Sequence, residues 1–343
     1  MRWRDRSAAP AHRDHSPSRH IHHKDTLMQH FDHDHHYPSA STPARSPFRL
    51  PGLALALPAV SAALVGALTL AFSLGDHSSA PVAGSAAFAP AQVNSATIAL
   101  GRIATAATER DAAPVKKDQF VYVQRLAREN KGTYGDRVML GALHKEEIWT
   151  AQKPGPTTLT GWIRSSGKDA IMPGQLVPCT SSNPVRPGLW YATYAWMASL
   201  PTDRAAMREL LYDQTEVEEG ESKDEAVFRT IGDLLSSVTM PTATTSALYE
   251  AAAVIPGITR IPDVVDAAGR HGMGITRRDD DSATRSVLIF DKHTLAYIGS
   301  QAYFVRGGAA SRDAENDVLF GIDAVMERGI VEQPGETLAH TAG

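Results

Sequence analysis

The sequence predicts an α+β fold: an antiparallel sheet, open or half-barrel, with helices packed on one face. Three observations carry this expectation. Runs rich in β-branched and aromatic residues open the region after residue 118. A block of helical periodicity follows them, between residues 200 and 256. The final third then alternates short strands with tight turns, hairpin after hairpin, which is the pattern of an antiparallel sheet.

Ahead of that fold the chain is partitioned. It has 343 residues and a formal net charge of −4. Residues 1–49 carry +3 and nine of the 14 histidines, so the remainder carries −7. The stretches HIHHKD and HFDHDHHY have metal-ligand residue types, but their spacing matches no ordered zinc motif. With Pro, Ser and Arg and little apolar periodicity, residues 1–49 read as a disordered tail, and no specific metal site is expected there.

Residues 50–74 read LPGLALALPAVSAALVGALTLAFSL, 25 residues without a charge, Asn, Gln or His. At ~1.5 Å per residue such a helix crosses the ~30 Å hydrocarbon core of a bilayer. Pro51 and Pro58 are tolerated in a membrane helix. Arg45 and Arg49 precede the run, and no Lys or Arg follows it until Arg102. The positive-inside rule therefore places the N-terminus in the cytoplasm and residues 76–343 outside, in a single-pass cell-membrane protein. The run exceeds the ~7–15 apolar residues of a signal peptide, so an uncleaved anchor is expected. Ala59, Ala63, Ala67 and Ala71 recur every four residues, a face on which two such helices could meet in a homodimer.

Residues 75–94, rich in Ala, Ser, Pro and Gly, read as a linker. Ala96, Leu100, Ile103 and Ala107 fall at helical spacing, giving a helix over about 95–110 with Ser95 as its cap. Gln119–Arg128, His144–Ala151 and Thr158–Ser166 read as strands. Residues 171–188 hold four prolines and read as a loop that contains Cys179. Three helices follow. One starts at Thr202 or Asp203, one carries Val227, Ile231, Leu234, Leu235 and Val238, and one starts at Thr244 or Thr245 and stops at Pro256-Gly257. The acidic EVEEGESKDE between the first two reads as a solvated connection. Ile258–Ala267, Gly272–Arg278, Arg285–Asp291, Leu295–Val305 and Val318–Val331 read as strands. The domain thus spans 95–331, and 332–343 reads as a disordered tail.

The segments QFVYV, EEIWTA, LPTDRAAMRELL, FRTIGDLL, ALYEAAAVIPGI, VVDAAGRHGMGI and LIFDKHTLAYIGS resemble an actinobacterial family of single-span membrane proteins whose activity is uncharacterised. The resemblance covers about residues 95–331 in the same order. It implies a short cytoplasmic segment, one span and an exterior α+β domain, and it carries over no functional residue. The order of elements is also similar to the half-barrel of lipoprotein-carrier and sigma-regulator periplasmic domains. The histidine-rich tail departs from the acidic, helical cytoplasmic segment of the first family.

Chemistry is sparse in the sequence. A pI near 6.4 gives no reason to expect nucleic acid. One cysteine excludes an internal disulfide or a multi-cysteine metal site. No nucleophile elbow, phosphate loop, zinc helix or dinucleotide fingerprint is present, so no cofactor is expected. The Asp279-Asp280-Asp281 run lacks the spacing of a calcium loop. The leading expectation is a membrane-tethered binding or sensing module for a small molecule, lipid or protein. Trp149, Trp162, Tyr191, Tyr194 and Trp196 are its candidate pocket lining. One alternative is a hydrolase-like enzyme built on His144, Glu146 and Asp291. The other is a scaffold for partner proteins.

Overall fold

The structure, a computed structural model, describes residues 90–109, 113–132, 137–168, 170, 172–218, 220–279, 281–307 and 316–339. The tail 1–49, the apolar run 50–74 with its Ala59, Ala63, Ala67 and Ala71 face, and Asp280 lie outside those residues. Among the described residues no helix is long and apolar enough to cross a membrane.

Nine antiparallel strands form one open sheet, with helices, an α+β fold. The first helix, α1, is Pro90–Thr108. A meander follows: β1 (Phe120–Glu129), β2 (His144–Ala151), β3 (Thr157–Gly167) and β4 (Val177–Val185). Then come the helices α2 (Tyr194–Ala198), α3 (Arg204–Gln214), α4 (Lys223–Ser237) and α5 (Thr242–Ala252). A second meander closes the chain: β5 (Ile258–Val265), β6 (His271–Arg277), β7 (Thr284–Asp291), β8 (Tyr297–Phe304) and β9 (Val318–Val331). The order β4-β3-β2-β1-β9-β8-β7-β6-β5 joins the two meanders where β9 pairs with β1.

Each helix start has a local cause. The Asp203 carboxylate accepts from Ala205 N and Ala206 N at 2.9 and 3.0 Å and caps α3. The Ser222 hydroxyl accepts from Glu225 N at the start of α4. Helix α5 begins after Pro241, without a side-chain cap. The expected caps do other work: Thr244 donates to Met197 O and Thr245 to Pro241 O. Gly257 follows with φ +82, where a Cβ would meet Arg278 O at 2.4 Å. Only glycine fits that turn into β5.

The large core lies between the helices and the second meander. Leu100, Ile103, Met207, Phe228, Ile231, Leu234 and Leu248 are fully buried, against Ile275, Leu288 and Phe290 of the sheet. Helix α1 packs on α5 and β5, and α4 packs on β7 and β8.

Four sequence expectations are corrected. Residues 177–185 form a strand despite Pro178 and Pro184, because β4 is a sheet edge and an edge strand has free positions where no N–H is needed. The opposite edge, β5, carries Pro262 for the same reason. Helix α1 starts at Pro90, inside the expected linker, so Ser95 is not its cap. The acidic connection is not simply solvated: Glu221 and Glu225 are buried, and Arg229 bonds Glu221 at 2.8 Å. Residues 332–339 are a packed segment, not a free tail. The Trp149 indole donates to Glu336 O at 2.7 Å, and Leu338 packs beside Tyr122, Trp149 and Val331.

Candidate functional site

Alternation along β1 puts Val121, Val123, Arg125 and Ala127 on the face that meets the helices. Three of the four are apolar and Arg125 is the exception, yet it is buried. Its partner stands opposite in the register, on β2: Arg125 Nε donates to Glu146 Oε2 at 2.6 Å. The other oxygen, Oε1, lies 3.2 Å from His144 Nε2. Burial alone would raise the Glu146 carboxyl, but the Arg125 charge and the His144 hydrogen bond hold it well below the usual carboxylate range. The bond to Glu146 in turn raises His144, against burial.

Beside this pair, between β1–β4 and the C-terminal end of α4, is a cavity of about 250 Å³. Ile148, Thr150 and Cys179 form its sheet wall, and Asp233, Ser236 and Val238 its helix wall. Trp190, 42% exposed, and buried Tyr191 stand at one side. The Tyr191 hydroxyl donates to Ala151 O at 2.7 Å and accepts from Lys153 N at 3.2 Å, which fixes the ring. Gly161 keeps β3 tight against β2: a Cβ there would meet Trp149 O at 2.2 Å. Burial pushes the Cys179 thiol up to about 12, so it stays protonated and inert.

A polar seam continues from Arg125 across β9 and β8, beneath α4. Asp323 accepts from the Ser300 hydroxyl, and burial raises its carboxyl to about 6 against that bond and the Arg125 charge. Arg328 donates to Leu235 O and Ser236 O, the last carbonyls of α4, and so fixes the helix end that walls the cavity. Asp323 Oδ1 and Arg328 Nε are buried in this seam without a hydrogen-bond partner among the described residues.

The five sequence-proposed liners separate. Tyr191, Trp149 and Trp162 border the cavity. The Trp149 ring, however, lies tilted against Tyr122 with centroids 5.4 Å apart, under Arg164 and the C-terminal segment, in a cluster that Trp162 joins. By strand parity that cluster is on the other face of the sheet. Trp196 lines a separate depression of about 360 Å³ with Pro154, Pro156 and Pro187. Tyr194 enters through its backbone, whose N–H donates to Gln152 Oε1 at 2.7 Å. The His144–Glu146 pair is assembled, but Asp291 is not part of it. Its carboxylate accepts from His293 N and Thr294 N in the β7–β8 turn. Three strands separate β2 from β7, so at ~4.8 Å per strand they lie roughly 19 Å apart.

Sequence reading missed Arg125. The signal was present: one charged residue at an inward position of an alternating strand, in a chain with a Glu pair on the next strand. Comparison of the sequence with protein-family models and with curated proteins finds no match in either.

Proposed function

We propose that the chain is a membrane-anchored extracytoplasmic module that binds a small amphiphilic molecule in the cavity between β1–β4 and α4. The cavity itself carries the reading. Its walls mix an apolar surface from Ile148, Val185, Trp190 and Val238 with the hydroxyl groups of Ser181 and Ser236. Mostly apolar walls with a few fixed polar groups suit a ligand with an apolar body and a neutral polar end. Arg125 is already neutralised by Glu146, so a strong charge on the ligand is not required. In this reading the sheet bends into a half-barrel around the ligand, and residues 50–74 hold the domain at the outer surface of the cell membrane.

The test uses the full chain purified in detergent. Small molecules and lipids that co-purify are identified by mass spectrometry, beside a Ser181→Trp variant that fills the cavity from the edge strand. A species bound to the wild type, and reduced at least ten-fold in the variant at unchanged melting temperature, supports the reading. No species above the level of the variant overturns it.

A further inference from the structure

A second cavity, of about 200 Å³, opens on the far side of the molecule, where α1 crosses the edge strand β5. Three cations from three elements border it: Arg102 of α1, Arg260 of β5 and Lys292 of the β7–β8 turn. Apolar surface stands beside them, from Met273, Leu295 and Ile98, the last 65% exposed. Lys292 is paired with Asp263 at 2.5 Å, and Asp263 also takes His271 at 3.0 Å. The side chains of Arg102 and Arg260 make no ion pair or hydrogen bond among the described residues. Two exposed guanidinium groups thus border one opening without a counter-anion among the described residues, on a region whose formal balance is −7.

We infer that this cavity is an anion site for a phosphoryl group that carries an apolar substituent. Guanidinium forks match phosphate oxygens in paired hydrogen bonds, and two forks with a nearby ammonium suit an anion with several oxygens better than a single carboxylate. The exposed Ile98 side chain and Leu295 give the substituent an apolar contact. A phospholipid headgroup and a soluble phosphorylated metabolite share this chemistry. Geometry favours the headgroup. The cavity involves the N-terminal half of α1, and only 15 residues separate Pro90 from Leu74, the end of the apolar run. At ~3.5 Å per residue they reach at most about 53 Å, so α1 is the element of the domain tied most directly to the bilayer that the run would span.

The test titrates the full chain in maltoside micelles by calorimetry, with three probes in separate runs. These are inorganic phosphate, phosphatidic acid with two hexanoyl chains, and phosphatidylcholine of the same chain length. The expected result is saturable binding of the phosphatidic acid, weakened at least ten-fold in Arg102→Gln/Arg260→Gln and several-fold in Ile98→Ser, at unchanged melting temperature. Binding that falls steeply with added salt is part of the same expectation. Phosphate bound as tightly as the lipid, and lost in the double variant, supports the phosphoryl site with a soluble source and overturns the apolar substituent. No binding of either anion overturns the inference. So does binding that the double variant leaves intact, or that phosphatidylcholine reproduces.

Discussion

The two halves of the sheet are built on different terms. Strands β5–β7 face the helices with Ile258, Met273, Ile275, Leu288 and Phe290, which join them in one apolar core. Strands β1–β4 carry a smaller separate cluster on that face, Ile148, Ile163, Val177 and Cys179, beside Val121, Val123 and Ala127 of β1. Beside the cluster sit the Arg125–Glu146–His144 chain and the cavity. The difference follows from cover: the long helices α1 and α4 pack on β5, β7 and β8, while the first meander meets only the C-terminal end of α4 and the short helix α2. Where the apolar cover runs out, a charged pair and an open space take its place. The buried apolar mass belongs mainly to one half, and the buried charged pair to the other.

The largest expected effect tests that division. Phe228→Ala, in the covered half, should cost about 3–5 kcal/mol, because the ring is fully buried and its neighbours are fixed. Ile163→Ala, in the open half, should cost about 2 kcal/mol, since its cluster is small and borders existing space. Denaturant unfolding of the two variants compares them, and equal losses would erase the distinction.

Next is the charged pair. Arg125→Met strands the Glu146 carboxylate in a buried site and should cost about 3 kcal/mol. Adding Glu146→Leu should restore most of it, since a matched apolar pair avoids the desolvation of two ions. A double variant no more stable than Arg125→Met would mean that the pair holds the half-sheet together through geometry rather than charge.

The helix-covered half has its own buried acid. Glu225 Oε1 accepts from Ser286 N at 2.7 Å, while Oε2 has no hydrogen-bond partner among the described residues. Burial raises this carboxyl to about 7 despite the Ser286 bond. Its folded value lies above its unfolded one, so the folded state holds the proton longer. Stability from this group is greatest below about pH 4.5, falls as pH rises toward 7, and is constant above. Glu225→Gln should therefore gain about 1–3 kcal/mol at pH 8 and almost nothing at pH 4. Melting curves of variant and wild type across that range measure the difference, and a gain independent of pH would remove the assignment. Asp323, raised to about 6 by burial, acts with the same sign from the polar seam.

The smallest effect is local. Asp203→Ala removes the cap of α3 and should cost about 1 kcal/mol by the same unfolding measurement. Helix α3 packs on α5 and α4, so the loss should appear as lower overall stability with no change at the cavity.

Much of the fold could be read from the chain, because periodicity is a local property. Val227, Ile231, Leu234, Leu235 and Val238 point to one helix face before any tertiary contact is known, and all five are buried. The hairpins of the last third announce themselves through turns such as Asp291-Lys292-His293-Thr294, where the Asp291 carboxylate does accept from the following N–H groups. Prolines misled the reading of β4, since a proline reports a missing donor and not whether the strand lies at a sheet edge. The candidate site was legible only in its aromatics, and a large ring has the same sequence signature whether it lines a cavity or fills a core. Trp149 and Tyr191 show the two fates on opposite faces of the sheet, both beside β2.

By itself the amino-acid sequence determined the class of fold, the run of helices between two meanders, and the partition of the chain into a basic histidine-rich end, an apolar run and an acidic domain. These depend on spacing, charge and composition, which are written along the chain. The tertiary structure alone decided that β9 joins β1, that Arg125 meets Glu146 rather than solvent, and that α4 ends over a cavity. It also decided that Arg102, Arg260 and Lys292 share one opening. Those facts depend on which distant segments become neighbours, and long-range pairing leaves no local mark in the order of residues.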